Sequence, residues 1–160
     1  MKVISNSSPL INFGALGRLD ILRTLYGNLV IPEAVYHEVV VVGQHHPGAA
    51  AVREATWIVQ EAVTHIPAVM FLHDLGRGEA EVIILAVEHP GSLVILDDRR
   101  GRLVASSLGL TLIGTLGILL IAKRRGLIQS LTQEIGYLQT RIGFRIGADF
   151  KARVLQEAGE

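Results

Sequence analysis

Asn6, Glu38, Glu79, Glu81, Asp97 and Asp98 are the side chains of this chain whose types and positions suit metal chemistry. Asn6 follows Val3-Ile4-Ser5, and Asp97-Asp98 follow Leu93-Val94-Ile95-Leu96. Each run reads as a short buried strand that ends in polar groups just before a helix. In a parallel α/β sheet such strand ends converge on the carboxyl edge, where ligands bind. An amide oxygen from one strand end and carboxylates from another then share a crevice, which makes a candidate hard-cation site.

Each acid also has a plainer reading. Glu38 borders the apolar stripe marked by Val35 and Val39. Turned toward the core it needs a partner or a metal; on the helix flank it is simply solvated. Glu79 and Glu81 open a helix after Gly76-Arg77-Gly78, where an acid gains about 0.3–1 kcal/mol from the helix dipole alone. By its spacing to Ile84 and Leu85, Glu81 is the expected inward pointer. Glu88, at the far end of that helix, is expected to be solvated. Asp97 and Asp98 point to different faces, so one aims into the crevice while the other caps the next helix or meets solvent. Arg99, Arg100 and Arg102 follow, as phosphate grips or as ordinary surface pairs. The histidines lack the HExxH spacing, and no GxSxG, Walker loop or GxGxxG is present.

The elements that must position these residues alternate. Strands are expected at 2–5, 29–31, 57–59, 93–96 and 110–113. Helices are expected from Ser7 or Ser8 with Pro9 near their start, over 19–25, after Pro32, over 49–55, 78–88, 99–108, 114–125, 130–140 and 147–157. Residues 60–77 carry no clear pattern. Strand–helix alternation argues a three-layer α/β/α sandwich with a mainly parallel sheet, as one domain over 1–160.

The chain has no cysteine, which excludes disulfides and thiol chemistry and suits a cytoplasmic setting. No signal-peptide pattern opens it. The apolar stretch Leu108 to Ala122 is shorter than the roughly 20 residues of a spanning helix and is broken by glycines, so no membrane segment is expected. Residues 1–98 hold 5 basic and 11 acidic residues, net −6; residues 99–160 hold 10 basic and 4 acidic, net +6. Such asymmetry fits an acidic crevice beside a surface for a polyanion, or an accident of solvated helix faces.

Several segments together resemble a known family. Ile4-Ser5-Asn6-Ser7-Ser8-Pro9-Leu10-Ile11, Ile31-Pro32-Glu33-Ala34-Val35-Tyr36-His37-Glu38, Leu75-Gly76-Arg77-Gly78-Glu79-Ala80-Glu81, Leu96-Asp97-Asp98-Arg99 and Ile113-Gly114-Thr115-Leu116-Gly117 are similar, in order, to the PIN domain and its VapC-like branch. The resemblance implies an endoribonuclease dependent on Mg²⁺ or Mn²⁺, the toxin of a toxin–antitoxin pair, cleaving RNA to leave a 3′-hydroxyl and a 5′-phosphate. The family's acids fall on Asn6, Glu38, Glu81 or Glu79, and Asp98 or Asp97, with Ser8 as the supporting hydroxyl. Glu38, Glu81 and Asp98 are the expected catalytic acids, and Arg99, Arg100 and Arg102 the expected RNA contacts. Asn6 departs from the family's Asp: an amide oxygen binds a hard cation without contributing charge. The alternative is a PIN-like RNA- or protein-binding module with weakened catalysis. The resemblance also implies a small antitoxin partner. A homodimer is expected through part of Leu108 to Ala122 or the first two helices.

Overall fold

Five parallel strands form the centre of the computed structural model, which describes residues 1–160. They are β1 (Val3–Ser5), β2 (Leu29–Ile31), β3 (Ile58–Gln60), β4 (Leu93–Ile95) and β5 (Thr111–Ile113), ordered β3-β2-β1-β4-β5. Ile4 pairs with Val30 on one side and Val94 on the other. All of β1 is buried, so helices cover both faces of the sheet and the three-layer α/β/α sandwich forms.

The helices are α1 (Ser7–Ala15), α2 (Leu19–Tyr26), α3 (Glu33–Tyr36), α4 (Ala49–Glu54), α5 (Ile66–Phe71), α6 (Arg77–Glu88), α7 (Arg99–Ser107), α8 (Thr115–Arg124), α9 (Leu131–Ile142) and α10 (Ala148–Glu157). α6 packs on β1 and β4 and touches α3, α5 and α7, whereas α1 gathers α2, α4, α8 and α9. Between α1 and α4, Gly48 at φ +89° meets Gly14 so closely that a Cβ on Gly48 would lie 2.4 Å from the Gly14 Cα. Side chains at either position would force these helices apart.

Two features differ from the sequence reading. The unpatterned stretch contains α5, whose Ile66, Met70 and Phe71 are exposed while Val69 is buried, so too little of it faces inward to leave an apolar period. Glu88 is not free in solvent: it accepts the backbone N–H groups of Thr64 and His65 and the Thr64 hydroxyl, tying the loop before α5 to the end of α6. In the apolar stretch Leu108 to Ala122, Leu116, Ile118, Leu119 and Ala122 are buried in the core, as a short core helix requires, while Leu108 stays exposed. No helix is long and apolar enough to cross a membrane.

Glu160 makes a second such anchor. Its carboxylate accepts the Leu131 N–H at 2.6 Å, the Thr132 N–H at 3.2 Å and the Ser130 and Thr132 hydroxyls, closing the start of α9. Burial pushes the Glu160 and Glu88 carboxyls up, but these donors outweigh it and hold both at about 2. Because the folded-state value is depressed, the stabilisation is present above the unfolded pKa and is lost as pH falls from about 5 toward 2. Glu160→Gln is therefore expected to cost about 1–3 kcal/mol at pH 7 and much less at pH 3. Thermal melts at the two pH values check this; an equal cost at both would remove the anchor.

Candidate functional site

Strand order reverses between β1 and β4, and a crevice opens at that point on the carboxyl edge of the sheet. The ladder continues one residue past the strands: the Asn6 N–H donates to Ile95 O at 3.0 Å, and the Leu96 N–H to Ile113 O at 2.9 Å. This stitching holds Asn6 beside the segment that carries Asp97 and Asp98. Asn6 occupies the N-cap of α1 in an extended conformation, yet its side chain caps nothing. It is 2% exposed, and its Oδ1 has no hydrogen-bond partner. Such a buried acceptor costs about 1–3 kcal/mol.

Glu38 lies in a π-helical segment, His37–Val42, that continues α3 and closes with the Gly43 N–H on Glu38 O at 2.9 Å. π segments are rare and gather at functional sites. The wider turn was invisible to a reading based on ordinary helical spacing. The Glu38 carboxylate accepts the Ser7 hydroxyl and, at 3.1 Å, the Gly78 N–H. Gly78 leaves room for it, since a Cβ there would sit 2.7 Å from both Glu38 oxygens.

Glu79 reaches back from the first turn of α6 to the Gly76 N–H at 3.1 Å. Burial pushes its carboxyl up, and the negative charges of Asp98 and Glu38 push it further against the opposing Gly76 bond. Asp98 caps α7, its Oδ2 accepting the Gly101 N–H at 2.8 Å. Glu79 thus lies within electrostatic reach of both Asp98 and Glu38.

Glu81 and Asp97 are placed otherwise. Glu81, the expected inward pointer, is buried against α3, accepting the Ala34 N–H at 3.1 Å and the Arg77 Nε–H at 2.6 Å. It therefore holds the helix that leads into Glu38. Asp97 accepts the Thr115 N–H at 2.7 Å, the Thr115 hydroxyl at 2.6 Å and the Asn12 amide at 3.0 Å, fastening the start of α8 and the middle of α1 to the end of β4. Ser8 lines the crevice, but the hydroxyl that meets an acid is that of Ser7.

A cleft of about 1500 Å³ runs outward from this edge, lined by Glu79, Asp97, Asp98, Arg99 and Arg102 among others. Arg102 is anchored there by its Nη1–H to Leu96 O at 2.7 Å. Arg100 points elsewhere, toward Asp74 O at 3.5 Å. Sequence reasoning missed Ser7, Gly78, Asn12 and Thr115. Asn12 reads as an ordinary polar helix residue and Gly78 as an ordinary helix start. Only Thr115, directly after a Gly at a strand end, carried a local signal.

As placed, no three acidic or histidine side chains form a closed ligating group, because each carboxylate is turned to a donor within the protein. The donor set nevertheless fits a hard divalent cation. It offers an amide oxygen without a partner, and a Glu79 carboxylate that the negative charges of Asp98 and Glu38 disfavour and that a cation would favour.

The family model described as a PIN domain (DUF3368) matches residues 2–160. No curated protein and no solved structure matches the chain. With the family model spanning nearly all of it, and with the parallel sheet and acidic edge just described, the chain belongs to the PIN-domain family.

Proposed function

We propose that this chain is a divalent-metal-dependent endoribonuclease, with Asn6, Glu38, Glu79 and Asp98 holding Mg²⁺ or Mn²⁺. PIN domains are nucleases generally, and generally depend on divalent metal, which supports the chemistry. The observation that carries the reading is the buried, unpartnered Asn6 Oδ1 at a strand end whose backbone is paired to Ile95, just before Asp97 and Asp98. When bound, a divalent cation supplies charge that neutralises the scissile phosphate and lowers the pKa of water.

The chain's own residues do the rest. Ser7 and the Gly78 N–H orient the Glu38 carboxylate, and the Gly101 N–H orients that of Asp98. Glu81 and Asp97 act as positioning residues, since their oxygens are already engaged. Arg102, fixed by Leu96 O, and the exposed Arg99 present positive charge to an RNA backbone along the cleft. Fluorescent RNA should be cut in Mn²⁺ or Mg²⁺ and left whole in EDTA; cutting at an equal rate in EDTA would reject the reading.

Gly78→Ala tests the local geometry. The added Cβ has no room beside the Glu38 oxygens, so Glu38 must move and cleavage should fall about tenfold or more, the sensitivity expected of misplaced catalytic groups. Unchanged cleavage in a well-folded variant would show that the position of Glu38 is not critical.

The partners proposed with this reading are RNA, a small antitoxin and a second copy of the chain, in the cytoplasm. The exposed Ile66, Met70 and Phe71 of α5 are apolar surface for such a second copy, in addition to part of Leu108 to Ala122 or the first two helices. Light scattering at micromolar protein should give twice 17.3 kDa. A monomer would reject the dimer.

A further inference from the structure

The outer half of the cleft is made by residues that the nuclease reading does not use. The segment after α9 and the first turn of α10 bring Phe144, Arg145 and Phe150 to its lining, and α7 adds Leu103. The chain has four Phe. Phe13 is in the core and Phe71 is on α5, so the other two both line this cleft. Phe144 packs partly against the core, but Phe150 is 48% exposed and takes no part in it. The Arg153 guanidinium lies 5.7 Å from the Phe150 ring centroid, within the range of a cation–π contact that steadies the ring. A large apolar ring left half-exposed in the cleft has a solvation cost that a stacked partner would remove.

Charge and size narrow the occupant. Arg99, Arg102 and Arg145 line the same cleft as Phe150, which suits a polyanion that also has flat apolar faces. The volume of about 1500 Å³ exceeds the roughly 300–1,000 Å³ of small-molecule pockets. A segment of single-stranded nucleic acid meets both requirements, because its bases are free to stack while a duplex hides them.

We propose that Phe150 is a base-stacking platform that takes one unpaired base of the bound strand and so sets which nucleotide lies near the acidic edge. This rests on the nuclease reading for the direction of the strand, but not for its own test. The Arg side chains hold the backbone, and Phe150 takes one base without reading its edge, so selectivity is for an unpaired base more than for a particular sequence.

The test is a fluorescence-anisotropy titration of the full chain with a labelled ten-nucleotide single-stranded RNA, in EDTA so that nothing is cut. Phe150→Ala should weaken binding about five- to hundredfold, the range for loss of one base–aromatic stack. Phe150→Tyr should bind like the wild type. An abasic nucleotide walked along the RNA should weaken wild-type binding at one position and have no further effect there on Phe150→Ala. Equal affinity of wild type and Phe150→Ala, tighter binding of a duplex of the same sequence, or no RNA binding at all would overturn the platform. Cleavage by Asp98→Asn at the wild-type rate would overturn the active site instead. The anisotropy result, read without metal, stands or falls separately.

Discussion

Glu38→Gln and Asp98→Asn are each expected to reduce metal-dependent RNA cleavage at least about a hundredfold, a loss typical of removing one group that stabilises transition-state charge. Both substitutions keep the side-chain volume. Glu38→Gln keeps the Gly78 N–H on its amide oxygen, and its amide NH2, in place of the other oxygen, donates to the Ser7 hydroxyl oxygen instead of accepting from it. Asp98→Asn still accepts the Gly101 N–H and so still caps α7. The folded protein should therefore survive, with circular-dichroism melts close to the wild type as the check. By contrast, Glu81→Gln weakens the tie between α6 and α3 and should lower the melting temperature more than it lowers cleavage per folded molecule. If Glu81→Gln abolishes cleavage in a stable protein while Glu79→Gln leaves it intact, the two acids have been assigned the wrong way round.

The second large effect concerns Asn6. Asn6→Asp adds a negative charge at the strand end where the amide oxygen now lacks a partner. Opposite unit charges near 4 Å interact by up to about 4 kcal/mol at an effective dielectric of 20, before desolvation is subtracted. A Mn²⁺ affinity gain of about tenfold or more is expected, since that needs only about 1.4 kcal/mol. Without metal the same substitution adds a buried charge at an edge where the negative charges of Asp98 and Glu38 already act on Glu79. The metal-free variant should therefore melt below the wild type, and Mn²⁺ should restore the loss. Unchanged affinity together with an unchanged metal-free melt would place Asn6 outside the site. Strong tightening would also explain how the alternative, a binding module with weak catalysis, arises from a single amide.

The sheet and most helices were legible because short apolar runs alternate with periodic amphipathic stretches, and β2 falls at the expected residues. The strand ends at Asn6 and Asp97-Asp98 were legible for the same reason: polar residues directly after a buried strand have few other places to go. What could not be read was side-chain direction. Spacing favoured Glu81 as the inward acid, and it is buried, but the buried surface is that of α3 and its donors are Ala34 and Arg77. Glu79, one residue pair earlier, faces Asp98 because it sits in the first turn of α6 beside the crevice. Nothing in local sequence marks the π-helical segment that carries Glu38, since its apolar valines suit an ordinary helix equally well. The outer wall of the cleft comes from residues 142–150, far along the chain from the acids, and only tertiary packing brings the two together.

Mn²⁺ binding followed by isothermal calorimetry, on the wild type and on Glu38→Gln, Glu79→Gln, Asp98→Asn and Glu81→Gln, tests the central claim most directly. Binding in the wild type, a loss of about tenfold or more in each of the first three variants, and near-wild-type affinity in folded Glu81→Gln are the expected results. Equal affinity in all five proteins, or no binding in any, would contradict a metal site at this edge of the sheet.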